Sequence, residues 1–68
     1  MRPGSHWEHY KGGVYAIVAM CRLESTLEPH VIYVLASTYP NGSYWCRPLS
    51  EWNQEVSPGV RRFTEVSE

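Results

Sequence analysis

The chain has 68 residues, 43% apolar and 13% aromatic, with a net charge of −1; that is enough for one small domain and no second. A domain this short buries only about 60% of its unfolded surface, so its core is thin and some aromatic rings stay partly exposed. Six Lys and Arg against seven acids, every one of them Glu, argue against a general electrostatic grip on nucleic acid and exclude EF-hand loops, Walker-B aspartates and aspartic dyads.

Residues 1–5, with Pro3 and Gly4, read as a flexible N-terminal arm, and residues 6–68 as a single small domain. His6 to Lys11 alternates weakly and is predicted as a short strand that Gly12-Gly13 breaks in a turn with positive φ. Val14 to Cys21 is a nearly unbroken apolar run of strand length, expected to be buried on both faces. Arg22 to Pro29 is polar and reads as a connecting loop. His30 to Ser37 holds three β-branched residues and forms the second clear strand, with Pro29 placed where a strand tolerates a missing N–H.

Asn41-Gly42 offers the positive φ angles of a tight hairpin, from which Ser43 to Arg47 returns antiparallel. Pro48 ends that strand. Leu49 to Glu55 is too short for an independent helix, and Ser50 is placed to cap one helical or 3-10 turn. After the turn signal Ser57-Pro58-Gly59, Val60 to Val66 alternates as one last strand. These elements predict an all-β fold: a small, strongly bent antiparallel SH3-like barrel with one short helical turn. A helix-capped open sheet is the competing architecture.

The densest functional signal is Tyr44 to Trp52, which crowds two Trp, a Tyr and an Arg into nine positions. Those residue types dominate binding hot spots because each offers stiff contact area with a polar handle. Arg47, Arg61 and Arg62 supply planar forks for carboxylate or phosphate, and Tyr10, Tyr33 and Trp45 supply rings for stacking. The opposing explanation is that Glu28 or Glu51 pins Arg47 while the rings fill the core. Lys11-Gly12-Gly13 resembles a phosphate loop but lacks the Walker pattern and precedes a strand.

No zinc site is expected, because Cys21 and Cys46 are far apart in sequence and form no close pair. They read as reduced, buried small hydrophobes. With three strands in sequential order, the two cysteines fall about two strand spacings of ~4.8 Å apart, outside the usual disulfide range. Neither adjoins a glycine-rich nucleophile loop, so no catalytic residue and no cofactor is implied. No signal-peptide-like run and no apolar stretch near ~20 residues occurs, which points to the cytoplasm and away from the membrane.

His9-Tyr10-Lys11-Gly12-Gly13-Val14-Tyr15, Thr26-Leu27-Glu28-Pro29 with Val31 and Tyr33, Trp45-Cys46-Arg47-Pro48-Leu49, and Arg62-Phe63 occur in order along nearly the whole chain. In these motifs the chain resembles the uncharacterised bacterial and phage family called domain of unknown function 1653. Two departures stand out. Leu23-Glu24-Ser25 replaces the family's His-Ser-Glu triplet, and Trp52 stands where the family has Phe. Losing that histidine argues against catalysis. The family has no established activity, so the resemblance supports the domain bounds and the site positions only.

The expectation is a non-catalytic binding module for an anionic, phosphate-bearing nucleotide-type molecule. Its ligand-binding residues are Tyr10, Lys11, Thr26, Glu28, Tyr33, Trp45, Arg47, Trp52 and Arg62. A chain too short to enclose a deep pocket alone implies a homo-oligomer. In phages, where the family also occurs, such a module would sequester a host signalling nucleotide. The alternatives are an SH3-like module for a protein or peptide partner and, less favoured by charge, a single-stranded nucleic-acid binder.

Overall fold

The computed structural model describes residues 1–66. Its strands are β1 (His6–His9), β2 (Val14–Arg22), β3 (Pro29–Leu35), β4 (Tyr44–Pro48), β5 (Glu55–Ser57), β6 (Val60–Arg61) and β7 (Phe63–Glu65). A single helical turn, α1 (Leu49–Trp52), follows β4, and a 3-10 turn spans Ala36–Thr38. An antiparallel five-stranded sheet runs in the order β4-β3-β2-β1-β7, and β5 and β6 form a separate two-stranded hairpin. The all-β antiparallel class with one helical turn is therefore observed. Among the described residues no ladder joins β4 to β7; α1 and the β5–β6 hairpin span that gap. No helix among the described residues is long and apolar enough to cross a membrane.

Residues directly opposite in a ladder share a face, and the register therefore sorts the side chains. Trp7 opposes Tyr15, Ile17 opposes Tyr33, and His9 opposes Phe63, so these six share one face with Val31. Ile17, Val31, Tyr33, Trp52 and Phe63 are the buried cluster, with Trp7, Tyr15 and Leu49 packed against it. Of the run predicted to be buried on both faces, only Ile17 is fully buried. The described chain measures 33 × 32 × 18 Å, too thin to cover both faces of β2. Instead β3, flanked by two strands, is the most buried strand, with His30, Val31, Tyr33 and Val34 inside.

Turns follow local chemistry, with exceptions. Gly12 and Gly13 have φ of 103° and 86°, and the Gly12 N–H donates to the His9 carbonyl at 2.8 Å. Gly59 closes β5–β6 in the same left-handed region. Asn41-Gly42, by contrast, is not a positive-φ hairpin turn: β3 stops at Leu35, and the return passes through the 3-10 turn and a cis Tyr39–Pro40 bond. Gly42 is needed for space, because an added Cβ would come within 2.6 Å of the Thr38 Cβ. Ser50 does not cap α1. The N-cap is Pro48, without a side-chain hydrogen bond.

The last strand divides. β6 pairs with β5, β7 pairs with β1, and Arg62 lies between them. Its N–H donates to the Gln54 carbonyl at 3.0 Å, and its carbonyl accepts from the Tyr10 N–H at 3.0 Å. Partners in two different sheets pull the chain off a single course there. The N-terminal arm is also held at its end. Gly4 N–H donates to the Ile17 carbonyl and Ile17 N–H to the Ser5 carbonyl, beside the β2 bulge between Ile17 and Ala19.

Trp52 packs parallel to Phe63 with centroids 3.7 Å apart and 5° between planes. Truncating Trp52 to Ala is expected to cost about 3–5 kcal/mol, a large share of a small domain's stability. Trp45, 54% exposed, should cost under about 1 kcal/mol when truncated. Urea unfolding midpoints of the two variants check the contrast.

Candidate functional site

The aromatic residues of the chain separate into a packed core and an exposed margin. Tyr33 sits 5.0 Å from Trp52, 5.5 Å from Tyr15 and 5.6 Å from Phe63, each near edge-on, the arrangement that ring quadrupoles favour. His9 lies against this cluster, 4.9 Å from Phe63 and 6.3 Å from Tyr15, and carries Tyr10 on its other side at 4.7 Å. Tyr10 is 42% exposed, with the Lys11 ammonium 5.7 Å from its ring centroid.

Cations gather around the same imidazole. Arg47 projects from β4 on the face of Val31 and Tyr33. Its Nε donates to the Tyr33 hydroxyl at 3.2 Å, and its Nη1 to Glu51 Oε1 at 3.1 Å. Arg62 Nη2 lies 3.4 Å from Gln54 Oε1. Burial of the His9 ring, then the charges of Arg47, Arg62 and Lys11, hold the His9 pKa below its ordinary value. The Lys11 backbone N–H donates to His9 Nδ1 at 3.1 Å, which leaves the ring proton on Nε2. A neutral imidazole thus stands among three cations and presents an N–H donor.

Two buried donors, Trp52 Nε1 and Arg62 Nε, have no hydrogen-bond partner among the described residues. Buried polar atoms are normally satisfied; these two are exceptions, and with under 1 Å² of exposed surface neither is open to an acceptor from outside the chain. Beside the cluster, Glu8, His9, Tyr10, Lys11, Gly12, Gly59, Val60, Arg61 and Thr64 line an open depression of about 590 Å³.

Of the residues expected from sequence, Tyr10 and Lys11 contact His9, Arg47 and Arg62 act on it through their charge, and Tyr33 bonds Arg47. Trp45 stands next to Tyr33 in register on β4 and is mostly exposed. Trp52 is not a ligand-facing residue: it has no exposed surface, because α1 turns it into the gap between β3 and Phe63. Tyr33, 7% exposed, contributes its hydroxyl and little ring surface. Thr26 and Glu28 stay in the β2–β3 turn. There Thr26 Oγ1 accepts from the Glu28 N–H at 3.2 Å, and the Glu28 carbonyl accepts from His30 Nδ1 and Leu23 N–H.

Glu51 is the partner of Arg47, as the structural alternative for that arginine anticipated, although one Nη1 and both Nη2 protons remain uncommitted among the described residues. His9, absent from the expected set, is the residue on which the cluster converges. Its position beside Tyr10-Lys11 was a signal, but only the β1–β7 pairing brings it to Phe63. The cysteines depart from expectation too. Cys46 is exposed and Cys21 half-buried, both as free thiols, and burial with a hydrogen bond to Cys21 pushes the Cys46 thiol pKa upward.

The depressed His9 pKa has a definite consequence for stability. The unfolded chain takes up this proton first, so the contribution is fully present above about pH 6.5 and declines as pH falls toward the lower folded value. Urea midpoints measured between pH 7.5 and 5 are expected to fall more steeply for the parent than for His9→Gln. In an NMR titration the His9 ring should titrate below the usual range, and Arg47→Ala should move it upward.

A family model described as "Protein of unknown function (DUF1653)" matches residues 5–65. No curated protein matches the chain. The chain is similar to the crystal structure of a protein belonging to DUF1653 from Bordetella bronchiseptica, with 32% identity and a TM-score of 0.72 over 97% of this chain and 87% of that one. With the family model spanning β1 through β7, and a solved member sharing the fold, the chain belongs to the DUF1653 family.

Proposed function

We propose that this domain is a non-catalytic binding module that holds a phosphate-bearing, nucleotide-type small molecule at the His9 cluster. The observation that carries this reading is the His9 ring held against Tyr10 and bonded by the Lys11 backbone, with the charges of Arg47, Arg62 and Lys11 acting on the same imidazole. Phosphate oxygens would accept from Arg62, from the uncommitted Arg47 protons and from His9 Nε2–H. A base would stack on Tyr10 or Trp45, the two rings of the region with open faces. The adjoining depression is of the size that small ligands occupy. Its openness is the reason to expect a homo-oligomer, in which a second copy encloses the ligand, working in the cytoplasm. In a phage setting the same chemistry would sequester a host signalling nucleotide.

A second reading is favoured by a different observation. Tyr39, Tyr44 and Trp45 are exposed at or near β4, whose outer edge has no strand partner among the described residues. Such an edge accepts an extended peptide. Recovery of one stoichiometric protein partner, lost in Trp45→Ala and unaffected by Lys11→Ala, would replace the nucleotide reading with this one.

Calorimetric titration with a panel of mononucleotides, dinucleotides and inorganic phosphate tests the proposal. At least one nucleotide should bind more tightly than phosphate, and its binding should raise the His9 pKa. Lys11→Ala and Arg62→Gln should each weaken it about 10-fold or more, the usual worth of a charge-assisted hydrogen bond, with unfolding midpoints held near the parent's. Affinity unchanged in both variants, or no nucleotide bound above phosphate, would sink the assignment.

A further inference from the structure

The five-stranded sheet ends at β4 on one side and at β7 on the other. β7 is three residues long, whereas β4 has five and pairs with β3 in one unbroken register, without a bulge. The outer edge of β4 has no strand partner among the described residues. Edges of this kind are usually blunted by lysines, bulges or extreme shortness, because a row of bare N–H and C=O groups templates further pairing. β4 holds no lysine, and its proline stands only at the last position. Its single charge, Arg47, is turned onto Tyr33 and Glu51, while Tyr44 and Trp45 stand 47% and 54% exposed.

The order of residues in β4 decides which occupant fits. Laid antiparallel against a second copy about a two-fold axis at Cys46, the strand sets Trp45 opposite the partner's Arg47 and Arg47 opposite the partner's Trp45. Directly opposed side chains of an antiparallel pair share a face, with Cβ atoms about 4.5–5.5 Å apart. That is close enough for a guanidinium to lie on an indole ring, and the Arg47 side chain keeps part of its surface open. The seam then carries the same cation–ring pair twice, as a two-fold interface demands. A foreign peptide added to an edge draws its specificity from pockets for alternate side chains. The depression beside His9, and another lined by Arg2, Ser5, His6 and Glu65, include no residue of β4.

We propose that β4 is a homodimer seam, at which the edges of two copies pair antiparallel about Cys46 and carry the sheet from one copy into the other. Trp45 and Arg47 oppose Tyr33 and Val31 on β3, so the cation–ring pairs lie on the aromatic side of the sheet. There the partner's Trp45 gives Arg47 a ring that its own chain does not set opposite it. The seam is the surface behind the homo-oligomer of the proposed function; it rests on that reading for the oligomer and not for the nucleotide.

The test is sedimentation equilibrium and diamide oxidation of the full chain, without nucleotide. The parent should dimerise. Trp45→Lys, which sets a second positive charge opposite each Arg47, should weaken the dimer about 10-fold or more while keeping the parent's circular dichroism. The axis places the two exposed Cys46 residues directly opposite, with Cα atoms about 4.5–5.5 Å apart, inside the range a disulfide spans. Diamide, which takes up the two protons and two electrons of a thiol pair, should therefore link two chains through Cys46. The link should survive Cys21→Ser and vanish in Cys46→Ser. A monomer at every concentration, a dimer indifferent to Trp45→Lys, or a link that needs Cys21 would each overturn the proposal. A dimer with the Cys46 link that binds no nucleotide supports the seam and sinks the nucleotide reading alone.

Discussion

The stack of Trp52 on Phe63 is the contact on which the rest of the structure depends. Phe63 belongs to β7 at one margin of the sheet, and Trp52 belongs to α1, which leaves β4 at the other. No ladder among the described residues joins those margins. The two rings meet in place of backbone hydrogen bonds. Around them Tyr33, Tyr15 and Trp7 pack edge-on, which gives a thin slab one continuous aromatic core. A short chain has little aliphatic volume with which to do this, and large rings bury more area per residue than any alternative.

The same contact places the charged residues. Because α1 must turn Trp52 inward, Glu51 lies on the other side of the turn, where it meets Arg47 across one helical step. Because β7 must deliver Phe63, the preceding Arg62 takes its backbone bonds from Gln54 and Tyr10 and comes to rest beside His9. His9 touches Phe63 directly. The cationic cluster is thus built on the rim of the core, and the Arg47–Glu51 ion pair beside it is partly exposed and worth little by itself. The three cations favour the neutral form of the imidazole, and that is the electrostatic feature on which the proposed site rests.

Much of this was legible in the residues. The Gly12-Gly13 turn, Pro29 at the head of a strand, the antiparallel return to Arg47 and the helical turn after Pro48 all follow from local chemistry. Tyr10, Lys11, Arg47 and Arg62 were picked out from residue type, and the fold sets Tyr10 and Lys11 against His9 within reach of the arginines' charge. What misled was residue type taken without partner. Trp52 resembles Trp45 in sequence, yet one is a core ring and the other a surface ring, because a helical turn separates their directions. Asn41-Gly42 resembles a hairpin turn, yet its glycine serves contact with Thr38. Cys46 sits in an apolar run but on an edge strand, where it is exposed.

Sequence by itself determined the all-β class, the order of the strands and the stock of rings and cations, since these depend on propensities and patterns within a few residues of each other. Tertiary structure alone decided which rings form the core, that the last strand divides at Arg62, and that His9 is the centre of the charged rim. Each of these depends on pairings between distant segments, β1 with β7 and β3 with β4. Local propensity does not encode such pairings; competition among whole-chain packings, settled here by burial of Trp52 and Phe63, does.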